Sequence, residues 1–134
     1  MVARQHEYVQ PYVYLIIDGK RRIAILDTGS PVNILPKRLV EHGEPHDDFK
    51  ITAVNGQPVL CYGIKKYKTK MGCMEDELDY YVMDSNHILI GYETMVKHNF
   101  HICIPERKVK TGGDRTIAKL LARTKVVHFA LMTR

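Results

Sequence analysis

The chain has 134 residues, 45% hydrophobic and 26% charged, with 20 Lys and Arg against 15 Asp and Glu for a formal net charge of +5. That balance excludes a low-complexity or largely disordered chain. No apolar run approaches the ~20 residues that span a bilayer, and the opening MVARQHEYVQPY lacks the apolar core of a secretory signal.

The length fits one domain of ~100–150 residues. Tyr12 to Ile17 is β-branched and aromatic and predicts a strand. Asp18-Gly19 then predicts a tight hairpin turn, with Arg22 to Leu26 returning. Asp27-Thr28-Gly29-Ser30-Pro31 reads as a turn, Val32 to Leu35 as an outgoing apolar strand, and Pro36 to Val40 as one short helical turn. His42 to Asp48 is a loop by composition. Phe49 to Val54 and Pro58 to Tyr62 predict two strands around a second hairpin turn at Asn55-Gly56. Ile64 to Met71 and Leu78 to Met83 predict further strands, separated by the acidic, turn-like Glu75-Asp76-Glu77, and the acidic run Glu75 to Asp79 reads as a solvated turn. His87 to Ile90 is a short buried strand ending at Gly91. Tyr92 to His98 has helical spacing with Met95 and Val96 inward, and Asn99 stops it. Phe100 to Ile104 closes as a strand.

The charge is divided unevenly. Residues 1–104 carry 12 basic and 13 acidic side chains, net −1, while residues 105–134 carry 8 and 2, net +6. Residues 1–104 are therefore expected to form the folded body, and 105–134 a basic C-terminal extension or linker. Within the extension Pro105 to Gly113 reads as linker. Asp114 is expected to cap a helix reaching about Lys125, with Ile117, Leu120 and Leu121 on one face. Val126 to Met132 reads as strand-like or extended. The tail has three readings, in order: a solvated linker, an extension docking on the body, or a nucleic-acid contact through charge. The neutral body argues against nucleic acid elsewhere. The three cysteines, Cys61, Cys73 and Cys103, are odd in number and form no CxxC pair, which fits reduced thiols and a cytoplasmic setting. Many short strands, two tight hairpins and few helical stretches predict a mostly-β barrel or sandwich.

The sharpest chemical feature is Ile25-Leu26-Asp27-Thr28-Gly29-Ser30. An acid directly after a buried strand sits at the edge of low-dielectric surroundings, on a turn that a hydroxyl and a glycine can lock. Taken alone, the tripeptide also suits an ordinary turn. Its context resembles the active-site loop of aspartic proteases, and about residues 10–105 resemble a retropepsin, the aspartic protease of retroviruses and LTR retrotransposons. Four features agree in order: the hairpin before Asp27, the outgoing apolar strand, the Asn55-Gly56 hairpin where the family has its flap, and Ile88-Leu89-Ile90-Gly91 before a short helix.

The resemblance implies a closed β-barrel protomer with one short helix, active as a symmetric homodimer; the helix read from Asp114 onward would be an addition to it. Aspartic proteolysis needs two carboxylates sharing one proton around a water. This chain has one Asp-Thr-Gly, so a second copy must supply the other. Asp27 would then activate water and protonate the leaving amine, Thr28 brace the two loops across the axis, and Gly29 offer its carbonyl to substrate. Ile25, Ser30, Val32, Ile34, Leu89 and Ile90 match substrate-pocket positions. Ala53, Val54, Asn55 and Gly56 match the flap, which closes over an extended polypeptide. The strands near Gln5–Val9 and Phe100–Ile104 are the expected interface. The expected activity is processing of a Gag-Pol-like polyprotein, within retroelement particles, with no cofactor and no membrane partner.

The chain departs from the family's pattern at three places. Tyr92 follows Gly91 where many relatives carry Arg or Asp, Pro31 and Val32 replace polar residues, and the flap tip has one glycine. The alternative is a domesticated, non-catalytic dimerisation module. Neither Ser30 nor Ser85 sits in a nucleophile elbow. His98-x-x-His101 with Cys103 lacks a fourth metal ligand and reads as structural.

Overall fold

The computed structural model describes residues 3–9, 11–40, 47–53, 55–112, 114–121 and 124–130, the first and last of these stretches as backbone alone. The strands are β1 (Ala3–Val9), β2 (Tyr12–Ile17), β3 (Lys20–Leu26), β4 (Asn33–Pro36), β5 (Phe49–Thr52), β6 (Pro58–Met71), β7 (Met74–Met83) and β8 (Ile88–Ile90). Helix α1 (Tyr92–Lys97) follows, then β9 (Phe100–Cys103), β10 (Lys108–Thr111), β11 (Arg115–Lys119) and β12 (Thr124–Ala130). A single 3-10 turn spans Lys37–Leu39.

The central sheet runs β2-β3-β8-β4-β7-β6-β5. Pairing of Ile16 with Lys70 and Ile17 with Thr69 joins β2 to β6 and closes six strands into a barrel, with β5 appended outside. Closure removes the two edges that an open sheet would expose. Strand alternation decides what fills the barrel. Val13, Leu15 and Ile17 of β2 point inward with Ala24 and Leu26 of β3, Ile88 and Ile90 of β8, and Leu78 and Tyr80 of β7. The adjacent Tyr80 and Tyr81 face opposite sides, and Tyr80 is the one in the core. Its hydroxyl lies 2.7 Å from Thr69 Oγ1, and burial pushes the phenol up to about 12. The barrel thus keeps a satisfied polar pair rather than an orphaned one.

Several expectations are corrected here. The acidic run Glu75 to Asp79 is strand, not turn. The chain reverses at Gly72-Cys73, where Met71 pairs Met74, and the acids lie opposite lysines of β6 (Lys70↔Glu75, Lys68↔Glu77, Lys66↔Asp79). Opposite charges facing each other across a ladder make a charged strand stable. Gly72 has φ +57, and a Cβ there would fall on the Ile117 carbonyl, so only glycine fits this turn.

The helix expected from Asp114 does not form. Asp114 adopts φ 79 and turns the chain back, so β10 and β11 pair antiparallel beside β9. Lys110 holds that turn through Asp114 (2.9 Å) and also pairs with Glu106 (2.6 Å) in the turn before β10. Val109, Ile117 and Leu120 enter the buried core, so residues 108–120 pack on the body instead of forming a solvated linker. Leu121 N–H donates to Tyr12 O at 2.8 Å. A further correction concerns α1. Val96 is exposed and Thr94 is buried with Met95. β1 and β12 pair in full register, Ala3↔Ala130 to Val9↔Thr124.

Asp76 anchors the end of α1. Its Oδ2 takes Lys97 Nζ and His98 Nε2, both at 2.8 Å, and these bonds hold its carboxyl below the usual carboxylate range. The depressed folded-state value means this stabilisation is fully present above the ordinary carboxylate pKa and is lost as pH falls through the lowered one. Asp76→Asn is expected to flatten the acid limb of the stability–pH profile between those two values, checked by urea melts at stepped pH. A limb of unchanged slope would contradict it.

Candidate active site

The loop from Asp27 to Pro31 is held from three sides. β3 and β4 are consecutive in the chain but lie apart, because β8 runs between them, parallel to β3 (Leu26↔Ile90) and antiparallel to β4 (Ile34↔Leu89). The turn therefore arches over the end of β8. Asp27 N–H donates to Ile90 O at 2.9 Å, and Ser30 N–H to Asp27 O at 3.1 Å. From the far side, Tyr92 N–H donates to Ser30 O (2.7 Å) and Glu93 N–H to Pro31 O (3.1 Å). The start of α1 thus grips the turn.

Within this frame the half-buried Asp27 side chain is oriented by its own turn, with Gly29 N–H donating to Oδ1 at 2.8 Å. One carboxylate oxygen is thereby fixed. A Cβ at position 29 would stand 3.1 Å from that same oxygen, so glycine leaves the carboxylate its room. Thr28 and Gly29 are exposed. Ser30 is buried, its hydroxyl donating to Val32 O at 2.7 Å, so it braces the loop from within.

Sequence reasoning missed Asn33. It is buried, and its Oδ1 accepts Gly91 N–H and Thr94 Oγ1–H, both at 2.9 Å, while Nδ2 donates to Asp79 O at 3.1 Å. One amide therefore ties β4, β7 and the β8–α1 junction together behind Asp27. The available signal was a lone polar residue at an inward position of an apolar strand, between Val32 and Ile34. Such a residue must find partners or leave buried polar groups unpaired, at about 1–3 kcal/mol each.

The six pocket positions separate. Ile25, Leu89 and Ile34 are cross-strand neighbours, each half-buried, and form an apolar row on the face that carries Asp27. Tyr12 extends the row beside Ile25, and Tyr81 beside Ile34. Ile90 points the other way, into the core, at 1% exposure, and supports the row from behind. Val32 borders a separate shallow cleft with Ile64, Tyr81, Thr94 and Lys97.

The β5–β6 hairpin carries the expected flap positions. Ala53 N–H donates to Gln57 O (2.9 Å), Gly56 N–H to Ala53 O (2.9 Å), and Gln57 N–H to Asn55 Oδ1 (3.0 Å). Val54 lies outside the described residues. At the hairpin's base Phe49 meets Tyr81 edge-on, ring centroids 6.2 Å apart, next to the apolar row. Tyr92, the residue after Gly91, is largely exposed.

Among the solved structures that match this arrangement is the retroviral protease-like domain of Ddi1 from Leishmania major, over 85% of the chain and 96% of its own length, at a TM-score of 0.62 and 17% identity. The fold is retropepsin-like. No family model and no curated protein matches the sequence. The retropepsin-like barrel and its threaded β8 are what put the Asp-Thr-Gly turn at the open face. The likeness reaches the fold, and at that identity the side-chain chemistry rests on the geometry above.

Proposed function

We propose that the chain is an aspartic endopeptidase that acts as a homodimer and processes a Gag-Pol-like polyprotein. The observation that carries this reading is Asp27: a carboxylate on a turn pinned to Ile90 and Tyr92, with one oxygen fixed by Gly29 N–H and an apolar row alongside. A single carboxylate cannot be both base to the attacking water and acid to the leaving amine in one step. Two copies related by a twofold axis through the turn supply both roles. Thr28 then stands at the axis, and the exposed Gly29 presents its backbone to an extended substrate. Ile25, Leu89 and Ile34 receive apolar side chains, and the β5–β6 hairpin closes over the peptide and excludes water.

The β1–β12 ribbon supports association. Two paired strands alone are marginal in water, and among the described residues each of these pairs only with the other. A second copy's strands can cover their other edges.

The test is peptide-library cleavage near pH 5 with titration of a statine-containing peptide, repeated over a dilution series. The expected result is saturable inhibition, and a specific activity that falls on dilution as dimers dissociate. Specific activity that stays constant from micromolar to nanomolar protein would overturn the shared site. Absence of both cleavage and statine binding would favour a non-catalytic scaffold.

A further inference from the structure

A depression lies beside the Tyr12 end of the apolar row, set back along β3 from Asp27. It is bordered by Tyr12, Arg22, Ile23, Arg38, Leu39 and His87. Among the described residues no acidic side chain lines it. Two guanidinium groups and an imidazole around one hollow, in a body of nearly neutral charge, form an electrostatic feature that the barrel itself does not need.

The three side chains differ in how they are held. Arg38 donates through its two terminal nitrogens to Ser85 O and Asn86 O, both at 2.8 Å, which fixes the plane of the guanidinium. A guanidinium has five N–H donors, so this one keeps donors to spare. Arg22 is half-exposed and has no hydrogen-bond or ion-pair partner among the described residues. His87 sits on a loop stiffened by Ser85, whose hydroxyl donates to His87 O at 2.8 Å, and its ring meets the edge of Tyr12 at 6.3 Å. Among the described residues the hollow thus offers donors with no acidic side chain in its own lining; Arg22 also borders a neighbouring depression that holds Asp18.

Position gives it meaning. Ile23 precedes Ile25 on the same face of β3, four residues before Asp27, which is about 13 Å along a strand. An extended peptide advances ~3.4 Å per residue, so one running alongside β3 would present to the hollow a side chain about three or four residues from the bond at Asp27. We propose that this depression is a recognition site for an acidic side chain of the polypeptide substrate. Guanidinium groups pair with carboxylates through charge-assisted, often bidentate hydrogen bonds. The inference rests on the protease reading for its substrate, and its test is separable from that reading.

The experiment measures binding, by fluorescence anisotropy, of peptide pairs that differ only by Glu or Gln at positions two to five residues from a central apolar pair. It uses the full chain carrying Asp27→Asn, so that no cleavage intervenes. Glu is expected to bind about tenfold tighter than Gln at one of these positions, with the advantage shrinking as salt rises. Arg22→Gln removes the advantage, and Arg22→Glu transfers it to a Lys-bearing peptide. Equal binding of Glu and Gln peptides at every position overturns the proposal, and that comparison needs no pocket variant to fold. Glu preference without cleavage by the unsubstituted chain sinks the protease and keeps the pocket. Cleavage without Glu preference does the reverse.

Discussion

Asp27→Asn is expected to lower peptide cleavage at least about a thousandfold, the scale of losing a group that moves protons in the transition state. The substitution is close to isosteric. Its amide oxygen can still accept the 2.8 Å bond from Gly29 N–H, and the backbone bond from Asp27 N–H to Ile90 O is untouched. The melting temperature should therefore stay within a few degrees while activity disappears, which separates chemistry from folding. A mixing experiment goes further. If each site needs Asp27 from two copies, every mixed dimer is dead. A ninefold excess of the Asp27→Asn chain should then cut activity per unsubstituted chain to about one tenth, by random pairing. Activity per unsubstituted chain that ignores the excess would show that one chain carries a complete site, and the shared dyad would be wrong.

The parts of the fold that the sequence made legible are those set by local rules. The β2–β3 hairpin follows from alternating apolar residues around Asp18-Gly19, and Asn99, at φ 52, ends α1 as its position suggests. The Asp27 turn was legible because an acid, a hydroxyl and a glycine follow a buried strand. The misread parts depend on partners distant in sequence. Glu75 to Asp79 looks like a solvated turn until Lys66, Lys68 and Lys70 stand opposite. Ile117 and Leu120 have a helical spacing of three, yet Arg115–Lys119 is drawn into β structure by β10 and by the Gly72 turn, which receives Ile117 O on Cys73 N–H at 3.1 Å. Asn33 was hidden for the same reason, since its three partners lie 46 to 61 residues away.

The same dependence on remote contacts makes Gly91 the most sensitive backbone position near the site. Gly91→Ala is expected to destabilise the chain by about 3 kcal/mol or more, at or beyond the upper end of overpacking costs. The new Cβ would fall on the Val32 carbonyl, 2.5 Å from its carbon, and 2.8 Å from Ser30 O. Both obstacles are backbone, so no side-chain rotation relieves them. The loop that must move is the one bound by Tyr92 N–H and Glu93 N–H, and Gly91 N–H is itself held by Asn33. Relief at Gly91 therefore costs bonds on both sides and shifts the residue before it, Ile90, whose carbonyl positions Asp27. Thermal melts should show a drop of roughly 10 °C for a domain of this size. Activity should fall further than the unfolded fraction explains, because the surviving folded molecules hold Asp27 out of place. Gly19→Ala is the control. It has φ +80 but nothing within 4 Å of the added Cβ, so it bears only the left-handed penalty of about 1–2 kcal/mol. If the chain with Gly91→Ala melts within about 2 °C of the unsubstituted chain, or is the more stable of the two variants, β8 does not constrain the turn in the way its contacts indicate.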